Sequence, residues 1–109
     1  MDGGLDFTVN PTNFTGLKEY TGALHTWGKK LVLMLYPGLS NDMPNQYITA
    51  AEGALIKGFN GSSQDFEVPT IYSQKTKFLD LFHNKSSSVW EQGLFDLYGQ
   101  VEYDGLWLD

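Results

Sequence analysis

Leu31-Val32-Leu33-Met34-Leu35-Tyr36 sets six apolar positions in a row and is closed by Pro37-Gly38. A short apolar run without alternation predicts a strand buried on both faces, as in a parallel sheet, and the Pro-Gly stop weighs against a short core helix. Upstream, from about Asn13 to Gly28, the side chains Leu17, Tyr20, Leu24 and Trp27 recur at three- and four-residue spacings. That spacing predicts one apolar face of a helix, with Gly28 as its stop. Gly16 and Gly22 within it each cost about 1 kcal/mol against alanine, so packing has to hold this helix. Residues 1–11 set Leu5, Phe7 and Val9 among glycines and acids and read as a loop leading into it.

Near the other end, Ser88-Val89-Trp90-Glu91 fits a capping box, with Ser88 as N-cap and Glu91 at the third helical position. Trp90, Leu94, Leu97, Tyr98 and Val101 then continue an apolar face. This second helix leads into Asp104-Gly105-Leu106-Trp107-Leu108-Asp109: a turn, a short buried strand carrying one tryptophan, and a carboxylate where the strand runs out. Residues 37–84 are the least regular stretch, with a short helix expected over Tyr47 to Ile56 and an extended piece over Phe66 to Tyr72. Long loops after strands usually carry function.

Helix, strand, long loop, helix, strand is the alternation of a parallel sheet built from βαβ units. A right-handed crossover puts the C-terminal ends of both strands on one edge, so Tyr36 and Asp109 share a rim. In a (β/α)8 barrel that rim is the active-site face.

Composition narrows the partners. Of the 109 residues, 13 are acidic and 7 basic, for a net charge of -6. With no basic run, a nucleic-acid partner is not expected, because phosphate binding draws on clustered Lys and Arg. The absence of cysteine removes disulfide frameworks, zinc ribbons and thiol catalysis. No apolar run is long enough to span a bilayer, and the first residues have neither a basic nor an apolar leader segment. His25 and His83 lie far apart with no second His or Cys at ligand spacing, so no metal is expected. Asp80 and Asp104 read as turn or capping residues. Three glycosylation sequons begin at Asn13, Asn60 and Asn84, against about one expected by chance, and point to a secretory-pathway protein, lysosomal or extracellular.

The ending Asp104-Gly105-Leu106-Trp107-Leu108-Asp109 resembles the nucleophile strand of family 31 glycoside hydrolases, the α-glucosidase and α-xylosidase group. In that family an Asp-Gly-hydrophobic-Trp-hydrophobic-Asp segment runs on into Met-Asn-Glu. The resemblance continues in register through Met1-Asp2, Asp6-Phe7-Thr8, Leu24-His25, Gly28 to Ser40, Glu52-Gly53, Ile56-Lys57 and Ile71 to Leu81, with Thr76, Phe78 and Asp80 in step.

What it implies is an α/β fold: residues 1–109 as part of a catalytic (β/α)8 TIM barrel, about three of its βα units, completed by the remainder of the barrel. It implies a retaining α-glycosidase acting on terminal α-linked sugars of an oligosaccharide or glycan, without cofactor or metal. Asp109 would be the nucleophile, Trp107 would line the sugar pocket, Tyr72 would stand where a pocket tryptophan is usual, and Met34 would replace an aliphatic residue touching the sugar. The acid/base aspartate would lie on a later strand, so the 109-residue chain alone is expected to be inactive.

The departures are Tyr36 for an aspartate, Ser73-Gln74 for Pro-Gly, and Leu79 for a proline before Asp80. A non-catalytic carbohydrate-binding or structural barrel remnant, with Tyr36, Tyr72 and Trp107 stacking on glycans, is the alternative. A degenerate paralogue, suggested by Tyr36 and Leu79, is a third reading.

Overall fold

The computed structural model describes residues 4–59 and 61–109. Its elements are α1 (Leu17–Thr26), β1 (Val32–Leu35), β2 (Gly38–Ser40), α2 (Gln46–Ala50), β3 (Thr76–Phe78), α3 (Asn84–Gln100) and β4 (Gly105–Leu108). β1 and β4 pair in parallel, in the register Val32–Gly105, Leu33–Leu106, Met34–Trp107 and Leu35–Leu108. This is the expected strand pair, joined through α3. Among the described residues there are two parallel strands and two long helices rather than three full βα units, and no closed barrel.

The core gathers on one face of that pair. Leu35 is buried there with Val89, Leu97 and Val101, and the partly buried Leu33, Leu106 and Leu17 pack against the same cluster. Phe7 stands at its centre, edge-on to Tyr47 at 4.8 Å and to Trp90 at 5.2 Å between ring centroids. A Cβ on Gly93 of α3 would lie 2.5 Å from the Phe7 ring, so a glycine there is what lets the loop residue seat on the helix.

The other face is open, which corrects the expectation of a strand buried on both sides. Val32 is 61% exposed, Met34 41% and Trp107 61%. The apolar run is real, but within these residues only one side of it finds a partner. The whole chain shows the same imbalance: its radius of gyration is 15.4 Å, against about 13 Å for an independent domain of this length.

Three local expectations also change. The helix forecast from about Asn13 is α-helical from Leu17, and Tyr20 and Trp27 are exposed, with Thr21 taking the buried position. Its hydroxyl donates to the Leu17 carbonyl at 2.9 Å, which is what allows a polar side chain to be buried on a helix.

The capping box is not formed. α3 begins a turn earlier, at Asn84, where the ring Nδ1 of His83 accepts from the Lys85 amide at 3.2 Å. Ser88 is interior, its hydroxyl donating to the Lys85 carbonyl at 2.8 Å. The early start is held from the preceding turn: the buried Ser86 hydroxyl donates to the Asp80 carbonyl at 2.6 Å and lies 3.4 Å from the Ala54 carbonyl.

Residues 37–84 are more ordered than their composition suggests. β2 lies antiparallel to β3, and isolated bridges join Leu55 to Leu79, Lys57 to Asp65 and Val68 to Thr76. The helix expected over Tyr47 to Ile56 shortens to α2 because Gly53 turns the chain at φ 83° and Leu55 enters a bridge. Of the extended piece at Phe66 to Tyr72, Val68 is the residue that joins a bridge, and a turn follows in which the Thr70 amide donates to the Ser73 carbonyl at 2.8 Å.

Candidate active-site rim

Because β1 and β4 are parallel, their C-terminal ends emerge on one edge. The Asp109 amide donates to the Leu35 carbonyl at 3.0 Å, so the ladder runs one step past β4. The next pair in register is then Tyr36 and Asp109. Alternation puts Val32, Met34 and Tyr36 on one side of β1 and Gly105, Trp107 and Asp109 on the same side of the neighbouring strand. That is the open face, opposite the helices.

Met34, Trp107 and Asp109, three of the four residues singled out from the sequence, are therefore brought together. Met34 and Trp107 are register partners, and Asp109 is exposed at the rim above them. Tyr72, the fourth, belongs to the turn before β3 and reaches the rim through Tyr36, the two ring centroids lying 4.9 Å apart at a tilt of 53°. Phe78 of β3 backs the same ring at 6.3 Å.

The turn that carries Tyr72 is held by a carboxylate that sequence reasoning passed over. Asp42 accepts from the Ser73 hydroxyl at 2.8 Å and from the amides of Gln74 and Lys75 at 2.9 Å each. These bonds, the Ser73 hydroxyl foremost, hold its carboxyl below the usual carboxylate value. The available signal was the run Asn41-Asp42-Met43-Pro44, a turn composition whose aspartate bonds to a turn distant in sequence.

Asp6 anchors the preceding loop beneath the same region. It is almost fully buried and accepts from the Ser40 amide at 2.8 Å and from Asn45 Nδ2 at 3.1 Å. Burial pushes its carboxyl up to about 6 despite those bonds.

Asp104 plays the turn role expected of it. It sits at the start of β4 and accepts from the Leu31 amide at 2.8 Å, from His25 Nε2 at 2.8 Å and from Lys30 Nζ at 3.0 Å. The amide bond first, then His25 and Lys30, hold its carboxyl far below the usual range. It thus ties the ends of α1, β1 and β4 together at the edge opposite the rim. Asp80 likewise turns the chain, accepting from the Phe82 amide at 3.0 Å. His83 is occupied as a helix cap. Of the sequon asparagines, Asn13 and Asn84 are exposed and Asn60 lies outside the described residues.

A parallel strand pair with its helix crossover packed on one face, and an exposed carboxylate where the strands end, has the form of a sector of a (β/α) barrel. The chain matches the model of the glycosyl hydrolases family 31 TIM-barrel domain over residues 1–109, and it belongs to that family. Along its whole length it is 28% identical to a human protein named probable maltase-glucoamylase 2, and it spans 4% of that protein. It is 29% identical to an α-glucosidase of Hordeum vulgare, of which it spans 13%, and 30% identical to the intestinal sucrase-isomaltase of Suncus murinus, of which it spans 6%. The chain therefore covers a small part of the length of the curated relatives it matches.

Proposed function

We propose that this chain is the nucleophile-bearing sector of a retaining α-glycosidase of the α-glucosidase type. Asp109 attacks the anomeric carbon, Trp107 and Met34 line the sugar pocket, and Tyr72 closes its side. The observation that carries this reading is the position of Asp109. It stands in register at the C-terminal end of a parallel pair, on the same open face as Trp107 and Met34.

Retention requires two carboxyl groups about 5–5.5 Å apart, one forming the glycosyl ester and one protonating the leaving oxygen and then activating water. Asp109 serves as the first. Asp104 is five residues back along an extended strand, about 16 Å away at 3.3 Å per residue, so it is not the second. The acid/base group comes from elsewhere in the barrel, and the 109-residue chain alone is expected not to turn over an aryl α-glucoside.

The test is made in the protein that carries the complete barrel. A fluorinated glycoside that traps the glycosyl ester should add its mass to the peptide containing Asp109. Asp109→Ala should lower kcat by on the order of 10^4-fold. An adduct on another carboxylate, or a variant within tenfold of the parent, would remove Asp109 from the role. The same peptide map reads the route through the secretory pathway that the sequons suggest: glycan is expected on Asn13 or Asn84, and unmodified asparagine at every sequon would count against that route.

A further inference from the structure

The rim holds one aromatic side chain that the reaction above does not use. Tyr36 follows β1 directly and is the cross-strand neighbour of Asp109, since the ladder continues through the Asp109 amide to the Leu35 carbonyl at 3.0 Å. Its ring is fixed against Tyr72 at 4.9 Å and Phe78 at 6.3 Å. Gly38 makes this placement possible: a Cβ there would lie 2.6 Å from a Tyr36 ring carbon and 2.5 Å from Thr76 Cγ2. Tyr36 as a whole is half-buried.

Met34, Tyr36, Tyr72 and Trp107 are all neutral; the Asp42 carboxylate holds the turn that carries Tyr72, and the group in register with Tyr36 at the rim is the Asp109 carboxylate. An anionic sugar would meet that carboxylate with no cation among these four side chains. An uncharged pyranose instead offers polarised C–H bonds, which suit the electron-rich face of an aromatic ring.

Resting on the glycosidase reading, we propose that Tyr36 is a specificity-determining residue: with Tyr72 it forms the apolar wall on which the C–H face of an uncharged pyranose seats beside Asp109. Tyr36 then acts through its π face, and its hydroxyl is secondary.

The test uses the protein with the complete barrel and reads the affinity of glucose and of glucuronate as competitive ligands, with Tm as the check on folding. Tyr36→Phe keeps the π face; Tyr36→Leu and Tyr36→Met fill the space without one, so either of the latter suffices if the other unfolds. The Phe variant should bind glucose within about threefold of the parent, and the Leu or Met variant about tenfold more weakly, a factor that corresponds to about 1.4 kcal/mol. Glucuronate should bind the parent at least about tenfold more weakly than glucose. Equal glucose affinity in the Phe and the Leu or Met variants overturns the proposal, as does equal affinity of the parent for both sugars.

Because ligand binding needs no turnover, the series is repeated in the Asp109→Ala background. A π-face dependence without labelling at Asp109 sinks the nucleophile assignment alone. Labelling at Asp109 without that dependence sinks the role of Tyr36 alone.

Discussion

On one face of the β1–β4 pair, Leu33, Leu35 and Leu106 pack into a cluster with Val89, Leu97 and Val101; on the other, Val32, Met34 and Trp107 stand in solvent. The residue types on the two faces are alike, so hydrophobicity does not separate them. What separates them is the supply of a partner, which α3 and the loop at Phe7 provide on one side only. In a (β/α)8 barrel the inward side chains of the strands stack in layers beneath the active-site rim. By register Val32 lies lowest, Met34 and Trp107 form the layer above, and Tyr36 and Asp109 the top. The open face thus has the composition of a barrel interior, and the covered face that of a strand–helix seam.

The largest expected effect separates the faces directly. Leu35 is 2% exposed, so Leu35→Ala should cost about 2–5 kcal/mol, in the 109-residue chain or in the complete barrel alike. Val32→Ala should cost no more than about 0.5 kcal/mol in the 109-residue chain. In the complete barrel it should cost about 1–2 kcal/mol, the worth of two buried methyl groups. Urea midpoints of both variants in both contexts decide it. A Val32→Ala cost that does not depend on context would break the assignment of the open face to a barrel interior.

The strand pair was legible in the sequence because Leu31 to Tyr36 and Gly105 to Asp109 are short, clean and sharply bounded, and because strand ends converge under any parallel crossover. The one-sided burial was not legible, since an apolar run says that both faces want cover and nothing about whether cover is at hand. The start of α3 was misread because Ser88 and Glu91 satisfy the usual capping rule, while the cap actually formed is the His83 ring on the Lys85 amide, a residue outside the preferred N-cap types, with Ser86 bonded back to the Asp80 carbonyl. Asp109, Trp107 and Met34 could be named from the chain because strand period and order bring them together. The support beneath Tyr72, from Asp42 and Ser73, joins positions about thirty residues apart and leaves no periodic trace.

The two sides also differ in their acids, and pH exposes the difference. Asp109 is exposed on the open side; Asp6, next to Phe7, is enclosed with a carboxyl raised from its ordinary 3.8 to about 6. Between those values the folded chain keeps a proton that the unfolded chain releases, so stability falls as pH rises through that window, by at most about 3 kcal/mol. Asp42, Asp65 and Asp104 act in the opposite sense, since their carboxyls are lowered and their contribution is lost as pH falls below the ordinary carboxylate range. The stability maximum should therefore lie near about pH 4, where the lowered carboxyls are already ionised and Asp6 still holds its proton. Asp6→Asn should flatten the decline above pH 4 and leave the acid limb unchanged. An Asp6→Asn profile parallel to that of the parent would show that Asp6 is not the group responsible.

The smallest effect tests how tightly the covered side is packed. Gly93 and Gly22 both sit inside helices, where alanine should be better than glycine by about 0.8–1 kcal/mol on propensity alone. At Gly22 nothing lies within 4 Å of a Cβ, so Gly22→Ala should stabilise by nearly that amount. At Gly93 the Cβ would meet three atoms of the Phe7 ring at 2.5 to 2.7 Å. The ring is held edge-on between Tyr47 and Trp90, so Gly93→Ala should destabilise by about 1–3 kcal/mol. Opposite signs for the same substitution in two helices would locate the rigid seam at Phe7. Equal, stabilising effects would mean that the Phe7 loop yields, and that the covered face is held less firmly than its burial implies.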